Sequence, residues 1–91
     1  MINNVKIIKL VDLYTPNLGM SSSAKDLFVK LKNIDYENVE IDFDRVEFMS
    51  MAFTQEYIFQ KNKSSKNIVE INMSEDISFM LNLINKRLNK F

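Results

Sequence analysis

The chain has 91 residues, with 12 basic and 12 acidic side chains and a formal net charge of zero, so it is one domain, and the charge balance argues against nucleic-acid binding, which wants a basic surface. It contains no cysteine and no histidine, which excludes disulfides and thiolate metal sites and removes the commonest general base and the commonest metal ligand. No apolar run approaches the ~18 residues of a membrane span.

Residues 5–14, VKIIKLVDLY, are rich in Val, Ile and Leu and predict a strand. The following TPNLG holds the only proline and the only glycine and predicts a turn. In SSSAKDLFVKLKN, Ala24, Leu27, Phe28 and Leu31 fall at i, i+3, i+4 and i+7, one face of a helix. Ser23, with Asp26 three residues later, has the form of an N-cap with a capping-box acid. VEIDF, residues 39–43, alternates, with Val39, Ile41 and Phe43 on one side and Glu40 and Asp42 on the other. SMAFTQEYIFQKNK predicts a second helix whose apolar residues cover more than one face. NIVEINM predicts a third strand, with Val69, Ile71 and Met73 opposite Glu70 and Asn72. Ser74 caps a last helix with a stripe of Ile77, Met80 or Leu81, Ile84 and Leu88. Glu75 and Asp76 lie at its positive end, and Lys86, Arg87 and Lys90 at its negative end, as the helix dipole favours.

The order is β-α-β-α-β-α, which predicts an α/β domain over residues 1–91 with parallel strand neighbours and right-handed crossovers. Two strands alternate cleanly, so helices are expected mainly on one face of a short sheet, with the other face open to water or a partner. On this reading Glu40, Asp42, Glu70 and Asn72 share the wet face, and Ile41, Phe43, Val69 and Ile71 belong to the core.

Four features have chemical content. Ser50 stands where the second strand passes into the second helix: as a helix cap it is worth about 1 kcal/mol, and as a phosphoacceptor its phosphate would meet the helix dipole. The cap is the favoured reading. Thr54 is a second hydroxyl, inside the helix. Ser21, Ser22 and Ser23 follow Gly19 but lack the glycines and lysine of a phosphate loop, so they read as turn and cap. Asp42, Asp44, Glu47 and Glu56 make an acidic stretch without calcium-loop spacing, and read as a solvated strand edge. Finally, Phe53, Tyr57, Ile58 and Phe59, with Met49 and Met51, are more apolar bulk than a helix buried on one side can hide. Part of this group is expected to dock a partner or a second copy.

The span from about 15 to 60 resembles the STAS-like domains of the DUF4325 type, relatives of the anti-sigma-factor antagonists. Two segments carry the resemblance. LGMSSSAKDLF is a Gly-Ser turn opening a helix, although the arginine common in that turn is replaced here by Ser and Met. In IDFDRVEFMSMAFTQEYIF, an acidic strand leads into a V-x-F/I step, matched by Val46 and Phe48, and an A-F-x-x-E opening the second helix, matched by Ala52, Phe53 and Glu56. The resemblance implies a small STAS-like sandwich and a regulatory protein-binding domain. In the antagonist branch a serine at the start of the second helix is phosphorylated by a kinase with a histidine-kinase-like ATPase fold, within the motif F-M-D-S-S-G. Set on Phe48 and Met49, that motif puts its aspartate on Ser50, its first serine on Met51, its accepting serine on Ala52 and its glycine on Phe53. The acceptor position therefore holds no hydroxyl.

Together these readings predict a regulatory interaction module and not an enzyme, with no cofactor and no metal. It would dock a protein partner, a kinase-like ATPase or another regulated protein, through Phe48, Met49, Ser50, Met51, Phe53, Thr54 and Ile58. A homodimer is a second use of that surface. A competing reading makes the same surface that of an inhibitor or antitoxin-like component of a bacterial or phage conflict system. The start MINNVKIIKLVDLY has charges within its apolar run and no small-residue cleavage site, and predicts a cytoplasmic protein.

Overall fold

The computed structural model describes residues 4–88. The chain runs β1 (Val5–Lys9), α1 (Leu10–Leu13), β2 (Asn17–Leu18), α2 (Ser21–Lys32), β3 (Asn38–Asp42), β4 (Phe48–Met49), α3 (Met51–Lys63), β5 (Asn67–Ile71) and α4 (Glu75–Leu88). The alternation read from the sequence is there, with three small elements added. The expected strand over 5–14 is a strand only to Lys9. Lys9 pairs with Asp42, the last residue of β3, so no ladder partner remains beyond it. The chain instead closes one helical turn, from the Leu10 carbonyl to the Tyr14 N–H at 2.8 Å, which puts Leu10 in the core.

β1, β3 and β5 form a parallel sheet in that order, and β2 and β4 form a two-stranded parallel ribbon. Because the three strands are ordered as in the chain, crossovers of one hand place the connecting helices on one face. α3 packs between α2 and α4. The core lies between this helical layer and the sheet, and contains Val39, Ile41 and Phe43 together with Leu27, Phe53 and Tyr57. Ala24, Leu27, Phe28 and Leu31 of α2 are all buried, as their spacing predicts, and so are Ile77, Leu81 and Ile84 of α4. Leu88, expected in the α4 stripe, is exposed. Lys90 lies outside the described residues.

β5 faces opposite to the sequence expectation. Glu40 pairs with Val69, and Ile41 with Glu70. Paired residues share a sheet face, and a shift of one residue exchanges the faces of a whole strand. Glu70 therefore shares the helix-covered face with Ile41, while Val69 stands on the open face, 54% exposed, beside Glu40 and Ile7. Val69 and Ile71 do not belong to the core, and Glu70 does not share the wet face with Glu40 and Asp42. In their place Ile68 packs against the core. The reason is polar. Tyr57 is fully buried among Phe28, Phe43 and Phe53, and its hydroxyl needs an acceptor. Glu70 supplies it at 2.6 Å. The Lys61 ammonium lies 2.9 Å from one Glu70 carboxylate oxygen and 3.1 Å from the other, offsetting the charge.

Asn72 ends β5 in the left-handed region, φ 58°, which asparagine tolerates better than most residues. There its side-chain amide donates to the Asp42 carboxylate at 3.0 Å.

Candidate docking surface

The β2–β4 ribbon brings the starts of two helices together. Asn17 pairs with Phe48 and Leu18 with Met49. The Pro16 carbonyl accepts from the N–H groups of Glu47 and Phe48, at 2.9 and 3.2 Å, and the Leu18 carbonyl accepts from the Ser50 N–H at 2.9 Å. α2 and α3 begin one to three residues beyond these bonds. Leu18 and Met49 point into the core. Phe48, on the other parity from Met49, points out, and beyond the ribbon Met20 and Met51 stand at the helix starts; all three are exposed, Phe48 52%, Met51 48% and Met20 67%.

Ser50 joins the two helix starts. Its Oγ accepts from the Phe53 N–H at 3.0 Å, the N-cap bond, and donates to the Gly19 carbonyl at 2.9 Å. The hydroxyl thus has both a donor and an acceptor partner, and links the turn before α2 to the first turn of α3. Thr54 is fully buried and donates to the Ser50 carbonyl at 2.7 Å. Ala52 is exposed in the first turn of α3.

Of the seven residues expected to dock a partner, the structure brings Phe48 and Met51 to the surface and leaves Ser50 half-buried. Met49, Phe53, Thr54 and Ile58 are buried. Packing excludes these four from any contact surface in this conformation. The reason lies in helix phase: Phe53, Thr54, Tyr57 and Ile58 form one inward stripe at i, i+1, i+4 and i+5, so most of the apolar bulk of the helix is core and the outward apolar residues are Met51, Ala52 and Phe59. The sequence reading missed Met20. Its place in a serine-rich turn hid it, although an apolar residue immediately before a helix in a polar turn is itself a signal of exposure.

The Ser21–Ser23 turn is also corrected. α2 begins at Ser21, and Met20 occupies the cap position without a side-chain bond. Ser23 is already inside the helix, and Asp26 caps nothing. Instead Asp26 accepts from the Tyr14 hydroxyl and from Lys30, each at 2.5 Å. The Lys30 and Tyr14 bonds hold its carboxyl below the usual range. Burial, then the Asp26 bond and charge, push the Tyr14 phenol up. Ser74, by contrast, caps α4 as read, accepting from the Ile77 N–H at 3.2 Å.

The acidic stretch is self-contained. One Asp42 oxygen accepts from the Asp44 N–H at 2.9 Å and from the Asn72 amide; these bonds, Asn72 first, hold its carboxyl below the usual range. Lys9 lies 3.4 Å from Asp44. Among the described residues no group of three or more carboxylates is placed to hold a metal ion, and no helix is long and apolar enough to cross a membrane. Comparison with protein-family models, with curated proteins and with solved structures finds no match for this chain.

Proposed function

We propose that this protein is a regulatory interaction module, similar to a STAS-like domain, that docks a protein partner through the apolar group at the start of α3. The observation that carries the reading is the grouping of exposed Met20, Phe48 and Met51 around a serine whose hydroxyl is fully engaged. Exposed methionine and aromatic side chains on a rigid support suit an adaptable protein contact. The support is rigid here because the ribbon and the Ser50 bonds fix both helix starts.

The partner class that the resemblance implies is a histidine-kinase-like ATPase. The module acts on it by occupancy and not as a phosphoryl acceptor: Ala52 has no hydroxyl, Thr54 is buried, and the Ser50 hydroxyl is held by Gly19 and Phe53. Calorimetric titration against a cognate ATPase of that class tests the proposal. Binding by the natural chain, lost in the Phe48→Glu, Met51→Glu double variant that keeps its helical circular dichroism, supports it. Equal binding by both chains overturns it.

A further inference from the structure

We infer that the lysine-lined groove between the C-terminal ends of α2 and α3 receives the acid-rimmed apolar end of a second copy of this chain, head to tail. A parallel sheet sends every strand exit to one edge and every helix return to the other. The exit edge carries Asp12, Asp42, Asp44, Glu47, Glu75 and Asp76 in the segments that follow β1, β3 and β5, against Lys9 and Arg45. It also carries exposed Phe48 and Met51. The return edge holds a groove lined by Phe28, Lys32, Gln60, Lys63, Ser64 and Lys66. No carboxylate lines it. The formal net charge of zero therefore conceals an acidic knob and a basic groove at opposite ends of the molecule.

The two ends match in chemistry as well as in sign. The groove is lined by Phe28, 7% exposed, together with Lys32 and Lys63, whose apolar stems and charged heads make an amphipathic lining that suits an aromatic side chain. Lys63 already covers an aromatic ring, its ammonium 4.9 Å from the Phe59 centroid. The Lys66 ammonium donates to the carbonyls of Ile34 (3.0 Å) and Tyr36, which fixes the charge of one of the residues that line the groove. Asp35 and Glu37 lie in the adjoining loop and do not line it. Knob and groove occupy different places on the chain, so the contact is heterologous and repeats into chains or a closed ring. The inference rests on reading the Phe48–Met51 group as a docking surface. Self-association and partner binding then compete for that group, which makes the free concentration of the module a regulatory variable.

Sedimentation of the full chain tests it. The natural chain should associate with rising concentration, and about 0.5 M salt should weaken the association about tenfold, as screening of an exposed charged contact requires. A knob variant (Glu47→Lys, Phe48→Ser) and a groove variant (Lys32→Glu, Lys63→Glu) should each be monomeric. Mixed one to one they should form a dimer and stop there, since one intact knob meets one intact groove. Lys63→Gln serves in place of the charge reversals if circular dichroism shows that these do not fold. A natural chain that stays monomeric at low salt overturns the inference but leaves the docking group available to another protein. Association lost in the knob variant but kept in the groove variant overturns the groove and keeps the docking surface. Association kept in the knob variant but lost in the groove variant keeps the groove and overturns the inference, since the Phe48–Met51 end is then not what the groove receives.

Discussion

The Tyr57 phenol donates to the Glu70 carboxylate at 2.6 Å across the boundary between α3 and β5. Tyr57 is fully buried, and the Glu70 side chain is 11% exposed and pairs with Lys61. This bond decides which face of β5 enters the core. Removing the acceptor should cost more than replacing it by a neutral one. Glu70→Ala leaves a buried hydroxyl unsatisfied and is expected to destabilise by about 1–3 kcal/mol. Glu70→Gln keeps an acceptor and should cost less. Glu40→Ala, one residue from the equivalent place on β3 but on the open face, should change stability by less than about 0.5 kcal/mol. Urea titrations of the three variants check the order.

The burial of Tyr57 beside Glu70 gives stability a dependence on alkaline pH. Burial, and then the charge of Glu70, push the Tyr57 phenol well above its ordinary value of 10.0. Below that value both folded and unfolded chains keep the proton, and this group contributes no slope. Above it the unfolded chain ionises first while the folded chain still holds its proton. The folded state then binds more protons, so stability falls as pH rises from about 10 towards the folded value. Unfolding midpoints in urea at neutral pH and at about pH 11 should show the loss, and Tyr57→Phe should reduce it.

How much of this was legible in the sequence differs by element. α2 and α4 carry single apolar stripes at helical spacing, and their buried residues follow directly, apart from Leu88. α3 does not read so simply. Its inward stripe includes Thr54 and Tyr57, whose polar atoms find partners at Ser50 and Glu70, while Met51 and Phe59 face out. Residue type and burial are partly decoupled there. β5 is ambiguous for a different reason. Ile68, Val69 and Ile71 put apolar residues on both parities, so local alternation does not choose a face, and the choice falls to a tertiary partner, Tyr57. The β2–β4 ribbon has two residues in each strand, too few for any periodicity. The exposure of Met20 therefore has no periodic signal in the sequence, whereas Ser50, at the junction of a strand and a helix, reads as the cap it is.

Ser50 should be less replaceable than an ordinary cap. Ser50→Ala loses both the Phe53 N–H bond and the Gly19 carbonyl bond and is expected to cost about 1–2 kcal/mol. Aspartate usually caps as well as serine. Here an ionised aspartate still accepts from Phe53 but has no proton to donate to the Gly19 carbonyl 2.9 Å from the present hydroxyl. Ser50→Asp should therefore fall between the natural chain and Ser50→Ala in denaturant titrations. A fully stable Ser50→Asp would show that the link to Gly19 contributes nothing.

The last expectation separates the two flanks of α3. Ile58 is 3% exposed, whereas Met51 is 48% exposed. Ile58→Ala should cost about 2–5 kcal/mol, as deletion of a buried branched side chain does. Ile58→Glu places an unpaired charge in the core and should abolish cooperative unfolding in a protein of this size. Met51→Glu should change stability by less than about 0.5 kcal/mol, because its side chain already meets water and the added acid stands in the first turn of a helix, where the dipole favours it. The pair is best measured by thermal denaturation followed by circular dichroism. Should Met51→Glu unfold the chain as Ile58→Glu does, Met51 is held by contacts that its exposure does not show, and the apolar group at the start of α3 is a part of the core and not a surface for docking.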